Sequence, residues 1–189
     1  MRTRLPRLTL VLGGGASGKS RFAERQALMS GLSPLYVATG SPLDEEMLLR
    51  IERHRSRRGP EWTTIETAEG DLQETLAGLA ETHGNHVILV DSLTMWTTDR
   101  LLGGAGDREI RSEIASLCDV LSAQRSPLIC VSDDVSGGIV PADPLGRRFR
   151  DIHGELNQAI AANSDLVVHV TAGIPLALKG ELKDFGKDK

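Results

Sequence analysis

Residues 13–20 read Gly13, Gly14, Gly15, Ala16, Ser17, Gly18, Lys19 and Ser20, directly behind the apolar run Leu8-Thr9-Leu10-Val11-Leu12. This is the phosphate-binding signature G-x-x-x-x-G-K-[ST] in its proper setting, after a strand and before a helix. The glycines let backbone N–H groups turn inward and approach phosphate oxygens closely. Lys19 is placed to reach β- and γ-phosphates, and the Ser20 hydroxyl to meet Mg²⁺. Arg21-Phe22-Ala23-Glu24-Arg25-Gln26-Ala27-Leu28 is rich in helix formers, so a helix N-terminus faces the anion. A strand, a glycine loop and a helix in that order commit the first thirty residues to a β-α unit that binds a nucleoside triphosphate.

The rest of the chain continues the alternation. Short apolar runs predict strands at Leu8–Leu12, Leu35–Ala38, Val87–Val90, Leu128–Ser132 and Leu166–Val170. Their near-continuous hydrophobicity suits a parallel sheet covered on both faces. Helices are expected at Ser20–Met29, Glu45–Arg57, Asp71–Glu81, Arg108–Gln124 and Arg147–Ala162. In the last, Phe149, Ile152, Leu156 and Ile160 recur at helical spacing on one face. Strands separated by such helices predict a mostly parallel, doubly wound α/β sheet. The 189 residues read as a single α/β domain, with 1–7 as an N-terminal extension and 180–189 as a charged tail. Gly103-Gly104-Ala105-Gly106 reads as a loose loop.

A net charge of −4 argues against nucleic acid as partner. Cys118 and Cys130 lie in apolar stretches without metal-ligand spacing, and read as buried thiols in a reducing compartment. With no signal-peptide pattern and no apolar run of membrane-spanning length, a cytoplasmic protein is expected.

In open α/β sheets ligands bind beyond the carboxyl ends of the strands, so the residues just past each strand carry the chemistry. Thr39-Gly40-Ser41 succeeds the second strand as a small polar turn. Asp91 ends the third predicted strand, where a carboxylate holds Mg²⁺ directly or through water, or else caps the next segment. Asp133 and Asp134 come after the fourth, either as metal or hydroxyl ligands or as a turn bonding its own backbone. Arg50–Arg58 holds five arginines in nine residues around His54. Met47, Ile51 and His54 share one helical face, which sets the histidine apart from a solvated basic surface. His54 is either a packed side chain or a nucleophile toward phosphorus, with arginines to stabilise the departing phosphate. His83, His86, His153 and His169 read as structural.

The ordered set of Gly13–Ser20, Tyr36-Val37-Ala38-Thr39, Asp44–Met47, Arg50-Ile51 with His54, Trp62–Glu66, Asp91–Trp96, Gly138–Pro141, Phe149–Asp151 and Asn157-Gln158 resembles the bifunctional adenosylcobinamide kinase/adenosylcobinamide-phosphate guanylyltransferase family of cobalamin biosynthesis. The similarity runs from Leu8 to about Lys179. It implies a P-loop NTPase fold with RecA-like strand order, assembled as a homotrimer. It implies two reactions: phosphorylation of adenosylcobinamide by ATP or GTP, then transfer of GMP from GTP to the resulting phosphate through a guanylylated histidine. The matching position is His54, with Lys19 and Asp91 beside it in catalysis. Nucleotide contacts are implied at Gly13–Ser20, Ala38, Thr39, Gly40, Arg55, Ser56, Arg57, Arg58, Glu66 and Asp91, and Mg²⁺ ligands at Ser20 and Asp91.

The chain departs from that family in places. Asp133-Asp134-Val135-Ser136 stands where Asn-Glu-Val-Gly is usual, Asp99 where Asn is usual, and Ala16 where arginine is common. A P-loop kinase of another small metabolite would also use Lys19, Ser20 and Asp91, but gives His54 no task. A nucleotide-driven switch would carry an Asn-Lys-x-Asp motif, which the sequence lacks.

Overall fold

The computed structural model describes residues 4–39, 58–67, 71–81 and 85–182. Its strands are β1 (Leu8–Gly13), β2 (Ser33–Ala38), β3 (Thr63–Glu66), β4 (His86–Asp91), β5 (Leu128–Asp133), β6 (Leu166–Thr171) and β7 (Ile174–Lys179). Its helices are α1 (Lys19–Met29), α2 (Leu72–Ala80), α3 (Leu93–Leu102), α4 (Asp107–Ala123) and α5 (Pro144–Asn163). The strands form one seven-stranded sheet in the order β3-β2-β4-β5-β1-β6-β7, the RecA-like arrangement. All neighbours are parallel except β6 and β7.

The apolar runs become central strands because helices cover both sheet faces. Leu8 and Leu10 join Ile88, Val90, Leu128, Cys130 and Val167 in a core closed by α2, α3, α4 and α5. Val11 joins Leu89, Ile129, Val131, Val168 and Val170 in a second core under α1. Ile152, Leu156 and Ile160 are buried as their spacing requires. Asp143 starts α5 by accepting from the Gly146 N–H at 2.6 Å, with Pro144 in the first turn. Cys118 and Cys130 are buried free thiols.

Three elements were not expected from the pattern. β3 is four residues long and mostly exposed, so it has no hydrophobic run to reveal it. β7 comes after a two-residue turn in which Ala172 (φ 52°) and Gly173 (φ 77°) both take left-handed backbone, the geometry of a tight hairpin. α3 begins at Ser92, whose hydroxyl caps the Met95 N–H at 3.4 Å. The supposed loose loop at 103–106 is instead a built helix end. Gly103 and Ala105 N–H groups donate to Asp99 and Arg100 carbonyls at 2.8 and 3.1 Å, and Arg148 Nη2 donates to the Ala105 carbonyl at 2.6 Å. Arg7 is likewise tied down, donating to the Ser122 carbonyl at 3.2 Å. The helix expected at Glu45–Arg57 lies outside the described residues.

Candidate nucleotide site

The phosphate loop joins β1 to α1 at the carboxyl edge of the sheet. Gly18 is the N-cap of α1 at φ 95°, a left-handed conformation that costs glycine nothing. Its carbonyl accepts the first helical bond from the Phe22 N–H at 2.9 Å. The β6–β7 turn props the loop from the side: the Gly173 N–H donates to the Ser17 carbonyl at 2.8 Å. Lys19, the first residue of α1, is 4% exposed. Its ammonium donates to the Gly14 carbonyl at 3.2 Å and is ion-paired with Asp133. That pairing arises from register, since Gly13 and Asp133 face each other across β1 and β5.

Asp133 is itself held from behind. Its N–H donates to Thr94 Oγ1 at 2.8 Å, and its carbonyl accepts from Asn157 Nδ2 at 3.0 Å. His153 Nε2 lies 3.1 Å from the same carbonyl and Nδ1 lies 2.9 Å from Thr97 Oγ1. The carbonyl can only accept, so the network assigns the proton to Nε2. Burial pushes the His153 pKa below its ordinary value, which keeps the ring neutral. Asp134 takes the turn role instead, accepting from the Ser136 N–H at 3.0 Å and Oγ at 2.5 Å. Those bonds, the hydroxyl's first, hold its carboxyl below the usual range.

Asp91 ends β4, two strands from β1 and thus about 10 Å across the sheet. The Tyr36 hydroxyl donates to Asp91 Oδ2 at 3.1 Å. Burial, then the Asp91 charge, pushes the Tyr36 phenol far above its ordinary range, so it stays a donor. Arg58 lies over the Tyr36 ring at 3.4 Å from its centroid, and Trp62 meets the ring edge-on. Buried Arg58 Nε and Nη1 have no hydrogen-bond partner among the described residues. Thr39 ties β2 to the start of α3, donating to the Ser92 carbonyl at 2.6 Å and accepting from the Ser92 N–H at 2.9 Å.

The strand ends thus bring Gly13–Ser20, Ala38, Thr39 and Asp91 to one edge of the sheet, while Arg58, ahead of β3, lies on the Tyr36 ring. Glu66 ends β3, four strand spacings or about 19 Å from β1, which suits the nucleoside end of a ligand and not its phosphates. Gly40, His54, Arg55, Ser56 and Arg57 lie outside the described residues. Sequence reasoning quoted Tyr36 and Thr94 within its motifs but gave them no role, since their contacts to Asp91 and Asp133 depend on how strands and helix pack. The aromatic at Tyr36 in a run otherwise aliphatic was the available signal. Among the described residues no cluster of three His, Cys, Asp or Glu side chains could hold a metal alone. Ser20 and Asp91 offer hard oxygen donors, which suit Mg²⁺ sharing its shell with nucleotide phosphates and water.

The cobinamide kinase / cobinamide phosphate guanyltransferase family matches residues 9–178. The chain is 42% identical over 172 residues to the bifunctional adenosylcobalamin biosynthesis protein CobP of Pseudomonas aeruginosa, covering 91% of this chain and 97% of that protein. It is 38% identical to the bifunctional adenosylcobalamin biosynthesis protein CobU of Escherichia coli, covering 91% of this chain and 99% of the relative. Among solved structures, the RadB recombinase aligns with a TM-score of 0.55 at 20% identity, over 87% of this chain and 74% of that one. The type III secretion ATPase EscN of enteropathogenic E. coli aligns at 0.57 with 13% identity, over 88% and 43%. These likenesses speak to the fold alone, that of P-loop NTPases. Matched along nine-tenths of its length, with an intact phosphate loop at the carboxyl edge of a RecA-like sheet, the chain belongs to the cobinamide kinase / cobinamide phosphate guanyltransferase family.

Proposed function

We propose that this enzyme runs both reactions of its family at the one phosphate loop, with Lys19 gripping the triphosphate in each and His54 serving only the second. In the kinase step the hydroxyl oxygen of adenosylcobinamide gives up its proton to solvent water and bonds to the γ-phosphorus of ATP or GTP. The bond from that phosphorus to the β–γ bridging oxygen breaks, and the nucleoside diphosphate leaves. In the second reaction a His54 ring nitrogen bonds to the α-phosphorus of GTP and pyrophosphate departs. The phosphate of the acceptor then displaces His54, giving adenosylcobinamide-GDP and free enzyme. Lys19 and the N-terminus of α1 stabilise charge on the departing phosphates. Ser20 and Asp91 would hold Mg²⁺, which neutralises phosphate charge when bound. Arg55, Ser56, Arg57 and Arg58 are read as contacts to the same nucleotide, Arg58 from its seat on Tyr36.

The observation that carries this reading is the family match over residues 9–178 together with the buried, paired Lys19 at the loop. The test is labelling with GTP carrying label in its α-phosphate. Wild-type enzyme is expected to retain an acid-labile, base-stable phosphoramidate after denaturation, and His54→Ala to retain none. An unlabelled wild type, active on both substrates, sinks the histidine route.

A homotrimer is part of the same proposal. β7, an edge strand, presents Ile174, Leu176 and Leu178 to water, a face that assembly would cover. Light scattering tests it. No described helix is long and apolar enough to cross a membrane. The two free thiols support a cytoplasmic, reducing setting.

A further inference from the structure

Between β5 and α5 the chain makes a loop that is braced at both ends and apolar at its tip. At its root the Asp134 N–H donates to the Gly13 carbonyl at 3.0 Å, which fixes the loop to the first residue of the phosphate site. Asp134 Oδ2 also reaches His169 Nε2 on β6 at 3.4 Å, so the root spans the end of β1. At the far end Arg147 Nη1 donates to the Pro141 and Ala142 carbonyls at 3.0 and 2.7 Å. Gly138, at φ 92°, turns the chain between these anchors. The turn leaves Ile139 96% and Val140 56% exposed, with Leu145 half-exposed on the first turn of α5.

Two β-branched apolar side chains held out by a braced loop need a reason, because hydration of apolar surface is unfavourable. The triphosphate does not supply one, since on the proposed reading it is held by polar groups, the loop N–H groups and Lys19. The other substrate class of this family does. Cobinamide is a large corrin ring with methylated, apolar faces, and its alcohol arm has to meet phosphorus above β1. The tip lies five residues from Asp134, within about 17 Å of the phosphate loop even if fully extended.

We infer that Ile139 and Val140 form the apolar seat for the corrin ring of the acceptor, on the exposed side of the phosphate loop. This rests on the proposed family function and adds to it a binding site for the second substrate. The seat belongs to the acceptor alone, so it acts in both reactions and has no part in enzyme guanylylation.

The test compares wild type, the double variant Ile139→Ser/Val140→Ser and the conservative Ile139→Leu. Equilibrium dialysis with adenosylcobinamide, read by its visible absorption, is expected to show about tenfold or more weaker binding for the double variant. Ile139→Leu should stay close to wild type. Labelling by GTP without corrinoid should be equal in all three, which reports folding and the nucleotide site. Light scattering should give one oligomeric state for all. Equal corrinoid affinity in the double variant overturns the seat. So does a change of oligomeric state with unchanged corrinoid affinity, which assigns the tip to a contact between copies. A wild type that binds the corrinoid but never phosphorylates it defeats the catalytic reading, and dialysis still decides the seat. A wild type that binds no corrinoid overturns both.

Discussion

The Lys19 ammonium is held between the Asp133 carboxylate and the Gly14 carbonyl, so the cation proposed to grip phosphate has a carboxylate partner of its own. An incoming triphosphate has to take Lys19 from Asp133 and then sit beside that carboxylate. Both effects oppose binding, and the family resemblance places an uncharged asparagine at this position. Asp133→Asn should therefore tighten nucleotide binding by about tenfold, or ~1.4 kcal/mol, as read by titration calorimetry with GTP. Weaker binding seen only when Mg²⁺ is present would instead make Asp133 a metal ligand.

Tyr36 orients Asp91 from β2, and its raised pKa keeps the hydroxyl a donor across the working pH range. Tyr36→Phe retains the ring under Arg58 but removes this bond. The half-saturating Mg²⁺ concentration should rise about three- to tenfold in the kinase assay, the net size of one ordinary hydrogen bond. GTP binding without metal should hardly change. Equal Mg²⁺ dependence in the two proteins would mean that the Tyr36 bond does not set Asp91 for the metal.

How much of this was legible depends on whether the determinant is local. The phosphate loop was, because glycine spacing, Lys19 and Ser20 act within one turn of chain. The burial of Ile152, Leu156 and Ile160 was, because periodicity alone sets a helix face. The Lys19–Asp133 pair was not: it needs β5 to lie beside β1 in the register that sets Gly13 against Asp133. β3 was hidden for a related reason. Thr63, Thr64 and Glu66 are exposed, and pairing with β2 rather than their own hydrophobicity holds them in the sheet. Asp133 and Asp134 looked equivalent in sequence, yet one faces the lysine and the other folds back on Ser136.

His153 supplies a pH dependence. Burial depresses its folded pKa below the unfolded value of about 6.5, so the unfolded chain takes up a proton first as pH falls. Stability is complete above that value and declines as pH drops toward the folded pKa, by at most about 1.4 kcal/mol per pH unit. Thermal unfolding midpoints measured from pH 7.5 to 5 should fall in wild type. His153→Gln, which cannot titrate, should start lower at pH 7.5 and show a flatter profile over that window. Parallel profiles would show that another group governs the acid limb.

Gly13 closes β1 where a side chain has no room. A Cβ there would lie 2.5 Å from the Val170 carbonyl oxygen and would collide with Ser17 Oγ. The Val170 carbonyl is backbone in the neighbouring strand, so it cannot swing away as a side chain would. Gly13→Ala should push the phosphate loop off β6, costing about 1–3 kcal/mol of stability in urea unfolding. Nucleotide binding should weaken at least tenfold, because loop N–H groups lose their aim at the phosphates. Gly14 and Gly15 have nothing within 4 Å of the same position. Gly14→Ala should accordingly leave the unfolding midpoint within about 0.5 kcal/mol of wild type. Equal losses from Gly13→Ala and Gly14→Ala would mean that the approach of Gly13 to β6 does not set the loop.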